Sequence, residues 1–239
     1  MVVVLALGAV VADRAARGAA ERRVAARVAP ELSPDRPLRV HLGGRSFLVQ
    51  AVRGHYEEVD VSAPSMTWED TTVRDVELHV RGIDVPRTVL RGRGGAVHVD
   101  GGTARALLPW SLLGERASAA TGAALELDAG PEGTVRATTS VGLLGREVDV
   151  SLRSAPDLAD GEVLLEPVAI AVGGRELSLE SARRPLRALG LDDVLRPVRL
   201  PLDDVPRGVT PTRLRVVDGG IVVDADLAAQ VVQVPPAED

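Results

Sequence analysis

The chain has 239 residues, 45% of them hydrophobic and 26% charged, which is enough apolar material for a sizeable core and excludes a disordered chain. A net charge of -6 and an aromatic content of 2% leave neither a cationic footprint for a phosphate backbone nor rings for base stacking, so nucleic acid is not an expected partner. Cys, Lys and Asn are absent and all 28 basic residues are Arg, so disulfides, thiolate metal sites, Schiff-base lysines and the P-loop lysine have no residues to be built from.

The chain opens on a continuous apolar run over residues 1–12. It has the length of a signal-peptide hydrophobic segment and falls short of the roughly 20 residues that span a bilayer. It reads as the remnant of an export or anchor segment, the alternative being a buried strand or the start of a helix. Residues 13–29 predict a helix: Ala and Arg are strong formers, Ala16, Ala20, Val24 and Val28 recur every fourth residue, and Pro30 marks its end.

From Leu38 onward the dominant signal is alternation with a period of two. It runs through Leu38, Val40 and Leu42, through Val59 and Val61, and through Val76, Leu78 and Val80. It returns at Val97 and Val99, Leu125 and Leu127, Val135 and Ala137, Val148 to Leu152, and Val223 to Leu227. Such runs are half-buried strands of an antiparallel sheet, because a parallel sheet covered on both faces shows unbroken apolar runs instead. Gly94-Gly95, Gly101-Gly102, Asp160-Gly161, Gly173-Gly174 and Asp218-Gly219-Gly220 are the predicted turns of a meander.

Helical signals are sparser. One covers 47–53, with Ser46 placed to cap it and Gly54 to end it; a second covers 103–120, interrupted by Pro109; a third covers 181–189. The expected organisation is a single domain over 13–236 followed by a tail at 237–239. The strands outnumber the helices able to cover them. Either the sheet closes on itself as a packed sandwich or barrel, the structural or interaction domain, or it curls around a helix and leaves an apolar groove. Periodicity leaves both open.

The stretch from His41 to Val61 (HLGGRSFLVQAVRGHYEEVDV) resembles the signature of the actinobacterial LmeA-like phospholipid-binding family, roughly G-x-P-F-L-T-Q, then G, an aromatic and V-x-V. Phe47, Leu48, Gln50, Gly54, Tyr56, Val59 and Val61 fit it, while Ser46 stands for the usual Pro and Val49 for the usual Thr. The likeness continues through Leu165-Glu166-Pro167, the Gly173-Gly174 turn and the segments around Leu200 and Ile221.

The resemblance implies an α+β fold, a long curved antiparallel β-sheet wrapped around helix, similar to tubular lipid-binding (TULIP-like) domains. It implies a non-enzymatic phospholipid-binding protein of the cell envelope, outside the cytoplasmic membrane, exported or anchored at its amino terminus. Such a protein needs no cofactor and serves lipid transport or the maturation of envelope lipids and lipoglycans, with a membrane surface as a further partner. The groove candidates are Phe47, Leu48, Val52 and Tyr56 in the motif and Leu108, Trp110 and Leu112 in the apolar stretch beyond it. Head-group candidates are Arg45, Arg53 and Arg87, with Arg91 and Arg93 of a glycine-rich basic turn, whose guanidinium forks suit a phosphate.

Catalytic constellations do not assemble from the residues. His41, His79 and His98 fall on the polar phase of their strands, and neither they nor His55 form an HxH or HExxH pair, so no metal or general base is assigned. The acidic pairs Glu57-Glu58, Glu69-Asp70, Asp192-Asp193 and Asp203-Asp204 are adjacent in sequence, and neighbours on a strand point to opposite faces. Ser46 lacks a nucleophile elbow, because Leu48 stands where the second Gly belongs.

Overall fold

The computed structural model describes residues 2–32, 37–68, 71–143, 146–159, 161–188, 195–202, 205 and 208–236. Asp160, the pairs Glu69-Asp70, Asp192-Asp193 and Asp203-Asp204, and the tail at 237–239 lie outside them. The first half runs α1 (Val2–Leu32), β1 (Arg39–Leu42), α2 (Phe47–Arg53), β2 (His55–Trp68), β3 (Thr71–Asp84), α3 (Arg87–Leu90) and β4 (Gly95–Pro109). There follow α4 (Trp110–Thr121), β5 (Glu126–Ala129), a 3-10 turn (Pro131–Gly133), β6 (Val135–Leu143), β7 (Arg146–Ala159), β8 (Glu162–Val172) and β9 (Arg175–Leu177). The chain finishes with α5 (Leu179–Ala188), β10 (Val198–Leu200), β11 (Val209–Val217), β12 (Gly220–Leu227) and β13 (Gln230–Val234).

The strands form two open sheets, one in the order β1-β2-β3-β4-β12-β11 with β13 also on β4, the other β10-β8-β7-β6-β5 with β9 on β8. Neither path closes into a barrel, and the architecture is the expected antiparallel α+β class. Where the sequence predicts one domain, the residues gather into two compact units, the first of residues 1–106, 206–210 and 224–239, the second of 107–205 and 211–223.

Each unit repeats the same order of elements. A helix packs on a four-residue strand, a short helical segment follows, and three neighbouring strands come next: α1, β1, α2, β2, β3, β4 in the first, with α3 interposed between β3 and β4, and α4, β5, the 3-10 turn, β6, β7, β8 in the second. Gly43-Gly44 and Gly173-Gly174 are not matching positions in this repeat. The first pair lies between β1 and α2, the second in the turn from β8 to β9.

In the first unit, register puts the alternating apolar residues on one face. Val40 is opposite Val61, Leu42 opposite Val59, Val59 opposite Val80, Val61 opposite Leu78 and Ala63 opposite Val76. The other face pairs Glu58 with Arg81, Asp60 with His79 and Ser62 with Glu77. The ladder skips Pro64, which has no N–H to donate, without a change of register; Asp75, opposite it, takes a positive φ of 48°. In the second unit Val150, Ile170 and Ala182 form a buried cluster that brings α5 onto β7 and β8, and Leu113 and Ala117 bury one face of α4.

Three sequence expectations are corrected. The amino-terminal run and the predicted helix over 13–29 are one helix, which carries Pro30 in its last turn, where a proline removes a single ladder bond just before the helix ends. Residues 103–109 are strand: Ala, Leu and Arg favour helix in isolation, but pairing within the sheet prevails up to Pro109, and the helix opens at Trp110. Gly101 and Gly102 lie inside β4 instead of at a turn, because a Cβ on Gly102 would collide with the His79 carbonyl oxygen of β3.

Candidate functional site

The motif around Phe47 folds into a compact frame at the start of the first sheet. Helix α2 ends at Gly54, whose φ of 76° is left-handed and whose N–H donates to the Gln50 carbonyl at 2.8 Å. The buried Gln50 side chain then fastens two segments. Its Nε2 donates to the Gly43 carbonyl at 3.0 Å and its Oε1 accepts the Glu57 N–H at 2.9 Å. Phe47 is buried with Leu38, Val40, Leu42 and Ala63, and its ring centroid lies 6.2 Å from that of Tyr56.

Ser46 occupies the position before the helix, yet its side chain makes no capping bond there. Asp13 of α1 does this instead: its carboxylate accepts the Leu48 N–H at 2.8 Å and the Ser46 hydroxyl at 2.9 Å. The Leu48 N–H, supported by the Ser46 hydroxyl, the Phe47 backbone and Arg17, holds the Asp13 carboxyl below the usual carboxylate range, against the opposing effect of partial burial. A lowered value means that the fold favours the charged form. Its stabilising contribution is therefore complete above the ordinary value of 3.8 and is lost as pH falls through the lowered one. Asp13→Asn is expected to lower the thermal midpoint at pH 7 and to differ progressively less from the native chain as both are acidified from the ordinary value of 3.8 down through the lowered one, measured by melting across pH.

Helix α1 lies along the edge strand β1, where Glu21 accepts the Leu42 N–H at 2.9 Å. Among its described side chains, Ala16, Ala20 and Ala25 pack against the apolar sheet face. Val59, Val61, Val76 and Leu78 stay half-buried on it. They form a strip of branched aliphatic side chains along that face.

The remaining predicted residues are spread around the two units. Leu48 and Val52 are exposed, at 42% and 68%, on the outer side of α2. Leu108 is buried, Leu112 is half-buried, and Trp110 donates its indole N–H to the Asp218 carbonyl at 2.8 Å, all three in the second unit. There Trp110 borders a cleft of about 630 Å³ between α4 and β5, with Glu115 and Glu126 on its walls. Arg45, Arg53, Arg87, Arg91 and Arg93 are all exposed, and Arg87 reaches the Val52 carbonyl at 3.4 Å. Arg45 shares a cavity of about 400 Å³ with Arg14 and Arg17 of α1, two residues that the sequence pattern did not single out.

Three of the four histidines pair with carboxylates, that of His41 being Glu21 of α1. His79 pairs with Asp60 at 2.5 Å, His55 with Asp84 at 2.7 Å and His41 with Glu21 at 3.2 Å. No helix among the described residues is long and apolar enough to cross a membrane.

The model of the LmeA-like phospholipid-binding family matches residues 11–226, and so takes in both units. No curated protein and no solved structure matches the chain.

Proposed function

Because the chain belongs to the LmeA-like phospholipid-binding family, we propose that it holds the acyl chains of a phospholipid along the half-covered apolar face of its first unit. The supporting observation is the make-up of that layer: four aliphatic residues of β2 and β3, Val59, Val61, Val76 and Leu78, stay half-buried, and among the described side chains of α1 it is the small Ala16, Ala20 and Ala25 that pack against this face. An acyl chain laid on the strip completes the layer. Each methylene removed from water contributes about 0.8 kcal/mol, so apolar contact alone supplies the affinity and few polar anchors are needed.

On this reading the protein binds lipid without transforming it. It works in the cell envelope outside the cytoplasmic membrane, in lipid transport or in the maturation of envelope lipids and lipoglycans. The apolar first turns of α1 fit an exported or anchored chain. Native mass spectrometry with organic extraction tests the binding. Protein purified from a bacterial host is expected to carry near-stoichiometric phospholipid, and Leu78→Asp to carry less. Native protein that emerges empty and takes up no labelled phospholipid afterwards overturns the reading.

A further inference from the structure

We propose that the cavity between α1 and the start of α2 binds a phosphate group. It has a volume of about 400 Å³ and is lined by Val10, Asp13, Arg14, Arg17, Arg45 and Ser46. Three guanidinium groups thus meet one carboxylate, in a chain whose net charge is -6. That carboxylate is already engaged, by the Leu48 N–H, the Ser46 hydroxyl and Arg17 at 3.6 Å.

The arginines are less fully used. Arg17 donates one Nη2 hydrogen to the Gly44 carbonyl at 3.1 Å, while its Nε is buried and has no hydrogen-bond partner. Arg14 and Arg45 make no ion pair or side-chain hydrogen bond among the described residues. A buried guanidinium N–H without an acceptor is costly, and planar guanidinium forks match the paired oxygens of a phosphate. With Asp13 subtracted, two positive charges remain, which suits a phosphate monoester or diester. The exposed Val10 gives the esterified side of the group an apolar neighbour.

Both a lipid head group and free phosphate offer this chemistry. Assigning the phosphate to a lipid rests on the acyl-binding strip proposed above, whereas the cavity itself does not. The full chain, freed of lipid, is titrated with inorganic phosphate, with dihexanoyl phosphatidylglycerol and with dihexanoylglycerol, which has the same chains and no phosphate. Affinities come from calorimetry, and occupancy from the NMR signals of the arginine Nε–H groups. The variants are Arg14→Ala, Arg45→Ala and the double substitution, at side chains that make no ion pair or hydrogen bond among the described residues.

Binding of phosphatidylglycerol is expected to weaken roughly tenfold for each arginine removed and to fall with salt, while binding of dihexanoylglycerol stays unchanged. A double variant that binds phosphatidylglycerol and inorganic phosphate as the native chain does overturns the site. Phosphate that shifts the Arg17 Nε–H signal, with phosphatidylglycerol binding no better than phosphate, supports the site and overturns its lipid assignment. If neither lipid binds the native chain, the strip on β2 and β3 is refuted and the inorganic phosphate titration alone decides the cavity.

Discussion

Gln50→Ala is expected to destabilise the first unit by about 2–6 kcal/mol, since it strands two groups that have no other partner in the frame, at roughly 1–3 kcal/mol for each. The Gly43 carbonyl loses its donor and the Glu57 N–H its acceptor. Space is also tight around this amide. A Cβ on Gly44, whose φ is 89°, would meet Gln50 Nε2, so loop and side chain are fitted to each other. Gln50→Glu separates the two bonds, for a carboxylate still accepts from Glu57 but opposes the Gly43 carbonyl. It is therefore expected to be no better than alanine at neutral pH and to recover partly on acidification. Urea denaturation followed by hydrogen exchange at β1 and β2 reads the change. An alanine variant as stable as the native chain would mean that Gln50 only fills space.

Leu113→Ala is expected to cost the second unit about 2–5 kcal/mol, the range for emptying a packed leucine site whose surroundings relax only in part. Leu113 is 1% exposed on α4, and Ala117, one turn on, is equally covered. Leu48→Ala provides the contrast, because a leucine 42% exposed leaves little cavity behind and is expected to shift stability by less than about 0.5 kcal/mol. Denaturation monitored by tryptophan emission, with Trp110 in the same unit as Leu113, measures the loss. Equal effects of the two substitutions would contradict the packing of α4.

Strands were the most legible part of this fold. Alternation at Val59, Val61, Val76, Leu78 and Val80 is a direct record of which side chains share one face of the sheet, because a strand has only two faces. The limits of α2 were legible too, since Phe47–Arg53 is closed by a glycine in the left-handed region. The sequence misled where intrinsic preference and pairing disagree: residues 103–109 are rich in helix formers and yet lie in β4. Gly101 and Gly102 look like a turn pair, but what demands glycine at position 102 is the backbone of β3, far away in the chain.

The site was less legible for the same reason. Arg45 could be named from its neighbourhood in the motif, whereas Arg14 and Arg17 read as the solvated side of an alanine-rich helix. Only the docking of α1 beside Ser46 brings the three to one cavity. Local periodicity carries no information about such a meeting. Phe47 and Tyr56 were named as groove candidates for their chemistry; packing makes Phe47 part of the core behind the strip and leaves Tyr56 half-buried against it.

The capping of α2 by Asp13 has a thermodynamic meaning of its own. A helix of seven residues is too short to persist by itself in water, and its leading N–H at Leu48 is satisfied by a residue 35 positions away on another helix. What looks like the most local element of the chain is therefore conditional on a distant one. The order of α2 is borrowed from α1, and any event that lifts α1 from the sheet, whether a protease, a ligand or a membrane, is transmitted at once to the loop that carries Arg45.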